Sequence, residues 1–68
     1  MEREDLRISK RENIRYAGRA RTAFFVHAWN ETAQAYVFAG QHTAPGHDAS
    51  EERCRQAARI ALADSVNG

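Results

Sequence analysis

Bulky apolar residues concentrate in one run of the chain, Phe24 to Gly40, FFVHAWNETAQAYVFAG. Phe24, Phe25, Val26 and Trp29 precede its polar centre, and Tyr36, Val37 and Phe38 follow it. These are the β-branched and aromatic types that suit a pleated, half-buried surface. The centre, Asn30-Glu31-Thr32-Ala33, is polar and led by an asparagine that tolerates turn geometry, so the run is expected to be a β-hairpin. With an even-numbered loop, Trp29 faces Gln34, His27 faces Tyr36 and Phe25 faces Phe38. Parity then sorts the side chains into two faces. One carries Phe25, His27, Trp29, Tyr36 and Phe38; the other carries Phe24, Val26, Ala28, Val37 and Ala39. An odd loop or a bulge would mix the two sets.

Upstream, Ile14 and Tyr16 alternate with Asn13, Arg15 and Ala17, continuing the strand pattern up to Gly18, which marks a turn or bulge. Met1 to Glu12 is dense in charge. Leu6 and Ile8 flank Arg7 with period two, as in an edge strand, while Arg3, Arg7 and Arg11 repeat at helical spacing. The segment 1–12 is therefore read as a charged arm or edge strand beside a single domain over 13–68. Downstream, QHTAPGHD is a loop by its Pro-Gly step. Asp48 is the expected helix N-cap, with Glu51 completing a capping box and Ser50 as the alternative cap. A helix is expected from Ala49 to Val66, stopping at Asn67-Gly68. Its apolar stripe is Cys54, Ala57, Ala58, Ala61, Leu62 and Val66, with Ile60 to one side and Arg55 and Arg59 on the polar face.

The expected fold class is α+β: a three-stranded antiparallel meander with one C-terminal helix packed on one face. One helix covers only one side of the hairpin. The aromatic side has the larger area to bury and is expected beneath the helix. Phe24, Val26 and Val37 would then form an exposed association surface. With the faces reversed, the aromatic set and His27 would present a stacking platform for bases. A third arrangement folds the N-terminal arm over the uncovered side through Leu6, Ile8 and Ile14.

Length and composition narrow the chemistry. Sixty-eight residues form one small domain, and much of the 43% hydrophobic content is alanine, which leaves little to wall a buried substrate chamber. The formal net charge of +1 carries no global field, yet residues 1–22 hold seven basic residues against four acidic ones. Arg15, Arg19 and Arg21 are the cations placed to meet phosphates or an acidic partner, or to keep a strand edge from aggregating. A lone Cys54 precludes an internal disulfide and suits a reducing cytoplasm; no run is long enough to span a membrane, and MEREDLR is not a signal peptide. His27, His42, His47 and Cys54 are too scattered for the paired ligands of a structural zinc site. No phosphate-binding loop, metalloprotease motif or nucleophile elbow is present, so neither an enzyme nor a cofactor is expected.

From Tyr16 onward, the runs YAGRAR, FFVHAWNETAQAYVFAG and SEERCRQAARIALA follow the order strand, strand, strand, helix. In this the chain resembles the plant AP2-type domain and the arm-binding domain of tyrosine integrases. That resemblance implies a sheet that enters the DNA major groove, with Arg15, Arg19 and Arg21 on the first strand. The second and third strands, as delimited by this reading, carry no basic residue. The helix start SEERCR is similar in placement to the last helix of double-stranded RNA-binding domains, with glutamates where that family has lysines. In size and build the chain is also similar to phage-encoded inhibitors of bacterial defence, anti-CRISPR proteins among them, which cover a surface on a host nucleoprotein machine. The leading expectation is a non-enzymatic protein-binding protein of that inhibitory kind, with homodimerisation as one mode. Its contact residues would be Arg15, Arg19, Arg21, Phe24, Val26 and Val37, with Arg55 and Arg59 secondary. The alternative is a DNA-binding module that places the same arginines on phosphates.

Overall fold

A computed structural model describes residues 4–67, with side-chain surroundings through residue 64. Three strands, β1 (Leu6–Tyr16), β2 (Arg19–Asn30) and β3 (Ala35–Pro45), precede one helix, α1 (Glu51–Asn67). The strands form one antiparallel sheet in the order β1-β2-β3, and the helix packs across it. The fold is α+β. The expected stripe position Val66 and the stop residue Gly68 lie outside the described side chains, as does Arg3.

The first strand is longer than the sequence pattern alone indicates. Leu6 pairs with Ala28 and Ile8 with Val26, so most of the charged segment before Glu12 belongs to the sheet. Leu6 is buried in the core and Ile8 packs against it, and that burial holds a strand half of whose other residues are charged. β1 turns into β2 through Ala17-Gly18, both at positive φ (52° and 78°). This is the handedness a two-residue hairpin needs to match strand twist. Arg19 and Arg21 therefore stand on the central strand β2 and not on the first strand.

The second hairpin has a four-residue loop, Glu31 to Gln34, in which the Asn30 side chain accepts a hydrogen bond from the Ala33 amide at 2.8 Å. Trp29 pairs with Tyr36 and His27 with Phe38, two residues away from the expected register but with the same parity. Aromatic and small residues consequently stay on separate faces. Two bulges adjust the sheet. In β1 the register slips between Ser9 and Glu12, where Lys10 takes φ 52°. In β3 it slips at Ala39, next to Gly40 at φ 108°.

The helix covers the face opposite to the one expected. Phe24 (1% exposed) and Val26 (0%) lie in the core with Leu6, Ala44, Ala49, Cys54 and Ala58. Ile8, Ala28, Ala39, Ala57 and Leu62 pack around them. The physical reason is fit. A helix with cysteine and alanine on its inner side approaches closely a sheet face on which Ala28, Ala39 and Ala44 stand among Leu6, Ile8, Phe24 and Val26, which fill the gap. At the helix start the capping expectation also changes. Ser50 Oγ accepts a hydrogen bond from the Arg53 amide, so Ser50 is the N-cap. Asp48 sits at φ 55° and instead exchanges hydrogen bonds with Asn13 of β1.

Candidate functional site

Alternation along the register assigns the uncovered face of the sheet. Its rows are Trp29 with Tyr36, then Arg7 with His27 and Phe38, then Ser9 with Phe25 and Gln41. Glu12 with Ala23 and Thr43 follow, then Ile14 with Arg21 and Pro45, and Tyr16 with Arg19 at the far end. Phe25, Trp29, Tyr36 and Phe38 gather with His27 at one end of this face, and Tyr16 stands at the other. The rings meet edge to face: Phe25 on Phe38 at 5.8 Å, His27 on Phe38 at 5.5 Å and Trp29 on Tyr36 at 5.2 Å. Phe38 remains 61% exposed and Tyr16 70%. These two are the rings most open to a planar ligand that stacks.

Cations surround the rings. The Arg7 guanidinium lies 4.3 Å from the centre of the Tyr36 ring, and the Lys10 ammonium 5.8 Å from that of Phe25. Tyr36 is itself anchored, its hydroxyl donating to the Glu4 carbonyl at 2.7 Å. The β1 bulge has a consequence here, because it sends Lys10 to the open face and turns its neighbour Arg11 to the Ala49 carbonyl on the helix side. At the other end, Arg21 donates through Nε to Thr43 Oγ1 at 2.7 Å and through Nη2 to the Thr43 carbonyl at 3.3 Å. These bonds hold its guanidinium in place while leaving donors over. Among the described residues, Arg7, Lys10, Arg19 and Arg21 form no ion pair with a carboxylate. Glu12 is the single acidic side chain in the open-face rows.

The carboxylates are gathered on the other side. Arg55 reaches Glu4, Glu51 and Glu52, each at 3.0 Å, and Arg59 reaches Asp5 at 3.0 Å and Glu52 at 3.7 Å. The hydrogen bond from Arg59 holds the Asp5 carboxyl below its ordinary value. Arg55, with 12% of its side chain exposed, and Arg59 thus clamp the helix to the chain leading into β1. They do not stand free for a partner.

The other expected contact residues separate in the same way. Arg19 and Arg21 share the open face. Arg15 falls in the opposite parity, bonded to the Gly18 carbonyl at the turn. Phe24 and Val26 are core residues, and Val37 stands 40% exposed on the helix-side face of the edge strand β3. Phe38 stands exposed with the aromatic set, as the reversed-face reading has it, and Arg7 and Lys10 join the surface although sequence reasoning had not singled them out as contacts. The one sequence signal for Arg7 was its place between Leu6 and Ile8, which forces it to face away from the core.

The remaining reactive side chains do not converge. His27 meets Phe38, His47 Nε2 lies 3.1 Å from the Ile14 carbonyl, and His42 packs beside Gly40. Among the described residues, no group of three or more His, Cys, Asp or Glu side chains could hold a metal. Cys54 is buried against the sheet, and burial pushes its thiol up from the ordinary value. No described helix is long and apolar enough to cross a membrane. Comparison of the chain with protein-family models, curated proteins and solved structures gave no significant match.

Proposed function

We propose that this chain is a non-enzymatic binding module whose ligand is a single strand of nucleic acid laid across the open sheet face. The observation that carries the reading is the coincidence, on one face, of exposed aromatic rings with four cations that form no ion pair with a carboxylate among the described residues. Bases would stack on Phe38 and the neighbouring rings, and Arg7, Lys10, Arg19 and Arg21 would meet phosphates. Aromatic platforms with flanking cations suit unpaired bases, because every base has a π-face and every linkage a charge. The resemblance to sheet-and-helix DNA-binding modules agrees with the use of this face, in which arginines now stand on the central strand.

Trp29 is the single tryptophan of the chain and lies on this face, so its fluorescence reports the event directly. Titration with a mixed-sequence oligonucleotide is expected to quench it. Four phosphate contacts on a single strand predict a log–log salt slope of about −2.8, or roughly 50-fold weaker binding between about 50 and about 200 mM salt. Truncating Phe38 to alanine is expected to weaken binding by about 10-fold, within the range for loss of one stacked base. No quenching at the lower salt would overturn the reading.

A protein partner is the second reading, and the exposure of Phe38, a large apolar side chain on the edge strand of this face, favours it. An inhibitor of a host nucleoprotein machine would use the same rings as an anchor. Its binding would vary far less with salt, and a duplex or single strand would not compete for it.

A further inference from the structure

One side chain is out of keeping with the open face. Glu12 lies there in the row with Ala23 and Thr43, between the aromatic rings at one end and Arg19 and Arg21 at the other. The β1 bulge puts it there. In an unbroken strand Glu12 would share the helix-side parity of Leu6 and Ile8, and the slip between Ser9 and Glu12 turns it to the open face. Glu12 is exposed, and among the described residues it forms no ion pair. Two cations of the same face are held elsewhere: Lys10 sits 5.8 Å from the centre of the Phe25 ring, and Arg21 is bonded to Thr43. Most other described carboxylates are engaged, Glu4, Asp5, Glu51 and Glu52 by Arg55 and Arg59, and Asp48 by Asn13. Glu12 therefore offers two acceptor oxygens on a surface that otherwise offers donors and rings.

We propose that Glu12 selects guanine, its carboxylate accepting both N–H donors on the Watson–Crick edge of one guanine base in the bound strand. The inference rests on the nucleic-acid reading of this face and adds a base identity to it. Charge decides which part of the strand lies over Glu12. A carboxylate repels a phosphate, so the backbone keeps to Arg7, Lys10, Arg19 and Arg21, and a base meets the row of Glu12. Hydrogen bonding then decides which base. An ionised carboxylate only accepts, through two oxygens side by side. In an unpaired strand the Watson–Crick edges are open to it. Guanine presents two adjacent donors there, N1–H and the N2 amino group, and meets both oxygens. Adenine and cytosine each set one amino donor beside a ring-nitrogen acceptor that repels the second oxygen. Thymine and uracil hold a single N–H between two carbonyls.

The test is the affinity of the full chain for thymine oligonucleotides of one length, either unsubstituted or with a single central guanine, inosine, adenine or cytosine, followed through Trp29 fluorescence at low salt. The guanine strand is expected to bind about 10-fold tighter than the adenine or cytosine strand, as one bidentate contact provides. Inosine, which lacks the N2 amino group, is expected to fall between them. Glu12→Gln, isosteric and exposed, is expected to remove the guanine advantage while binding the unsubstituted thymine strand at least as tightly as the wild type does. Equal affinities for all the strands overturn the inference and leave the nucleic-acid reading standing, as does a guanine preference that Glu12→Gln retains. Inosine binding as tightly as guanine overturns it without recourse to the variant. Absence of quenching by every strand overturns both readings.

Discussion

Ala17 is held at φ 52° in the first hairpin turn, a conformation that costs an L-residue with a β-carbon about 1 kcal/mol and that asparagine or glycine adopts more readily. Ala17→Asn is therefore expected to stabilise the fold by about 1 kcal/mol, read as a higher urea midpoint with an unchanged slope. Thr22 presents the opposite case. Its hydroxyl is buried, donates to the Gly46 carbonyl at 2.8 Å and accepts from the Ala49 amide at 3.1 Å. Thr22→Val keeps the shape and strands both backbone groups, so a loss of about 2 kcal/mol is expected in the same assay. Asp5 sets a pH dependence. Because its carboxyl titrates below the unfolded value when paired with Arg59, its contribution is present above the unfolded pKa and fades as pH falls through the folded one. Stability measured below about pH 4 should therefore fall less steeply in Asp5→Asn than in the wild type.

At the scale of elements, the hairpin and helix were legible because their periods differ, and the sorting of side chains was legible because a two-residue register change preserves parity. Which face the helix would choose was not. Summed aromatic area pointed to the wrong side; the deciding quantity was the closeness of approach between Cys54 and Ala58 and a sheet face rich in alanine. The rings instead pack on one another and beneath Arg7 and Lys10. The bulge at Lys10 had no glycine to announce it, and the cap at Ser50 was masked by the spacing of Asp48 and Glu51. Asp48 departs from that pattern through a contact with Asn13, distant in sequence and invisible to a local pattern. The same limitation applied to β1, whose strand character rests on Leu6 and Ile8 reaching the core. A chain starting at Asn13 would leave Val26 uncovered along one edge, and Leu6→Ala alone is expected to cost about 3 kcal/mol. In a domain this small, circular dichroism is expected to show a cooperative thermal transition for the full chain and none for the truncated one.

Across the whole molecule, a net charge of +1 conceals a separation of charge. The basic excess of the N-terminal third was visible in the sequence, but its destination was not. Folding pairs Glu4 and Asp5 with Arg55 and Arg59 on the helix, so the two carboxylates nearest to Arg7 in sequence are engaged elsewhere. The proposed function depends on that arrangement and not on total charge, and this separates two otherwise equivalent substitutions. Arg21→Glu and Arg53→Glu each change the net charge by the same amount. Arg21 is held on the open face by Thr43, whereas Arg53 is exposed on the helix. If phosphates are met by the open face, Arg21→Glu should weaken oligonucleotide binding by about 10-fold or more and flatten the salt slope by about 0.7, the increment for one lost contact. Arg53→Glu, acting only through a screened field about a Debye length away, should change the affinity by less than about 3-fold at physiological salt and leave the slope unaltered. Equal effects from the two would mean that total charge, and not the face, governs binding.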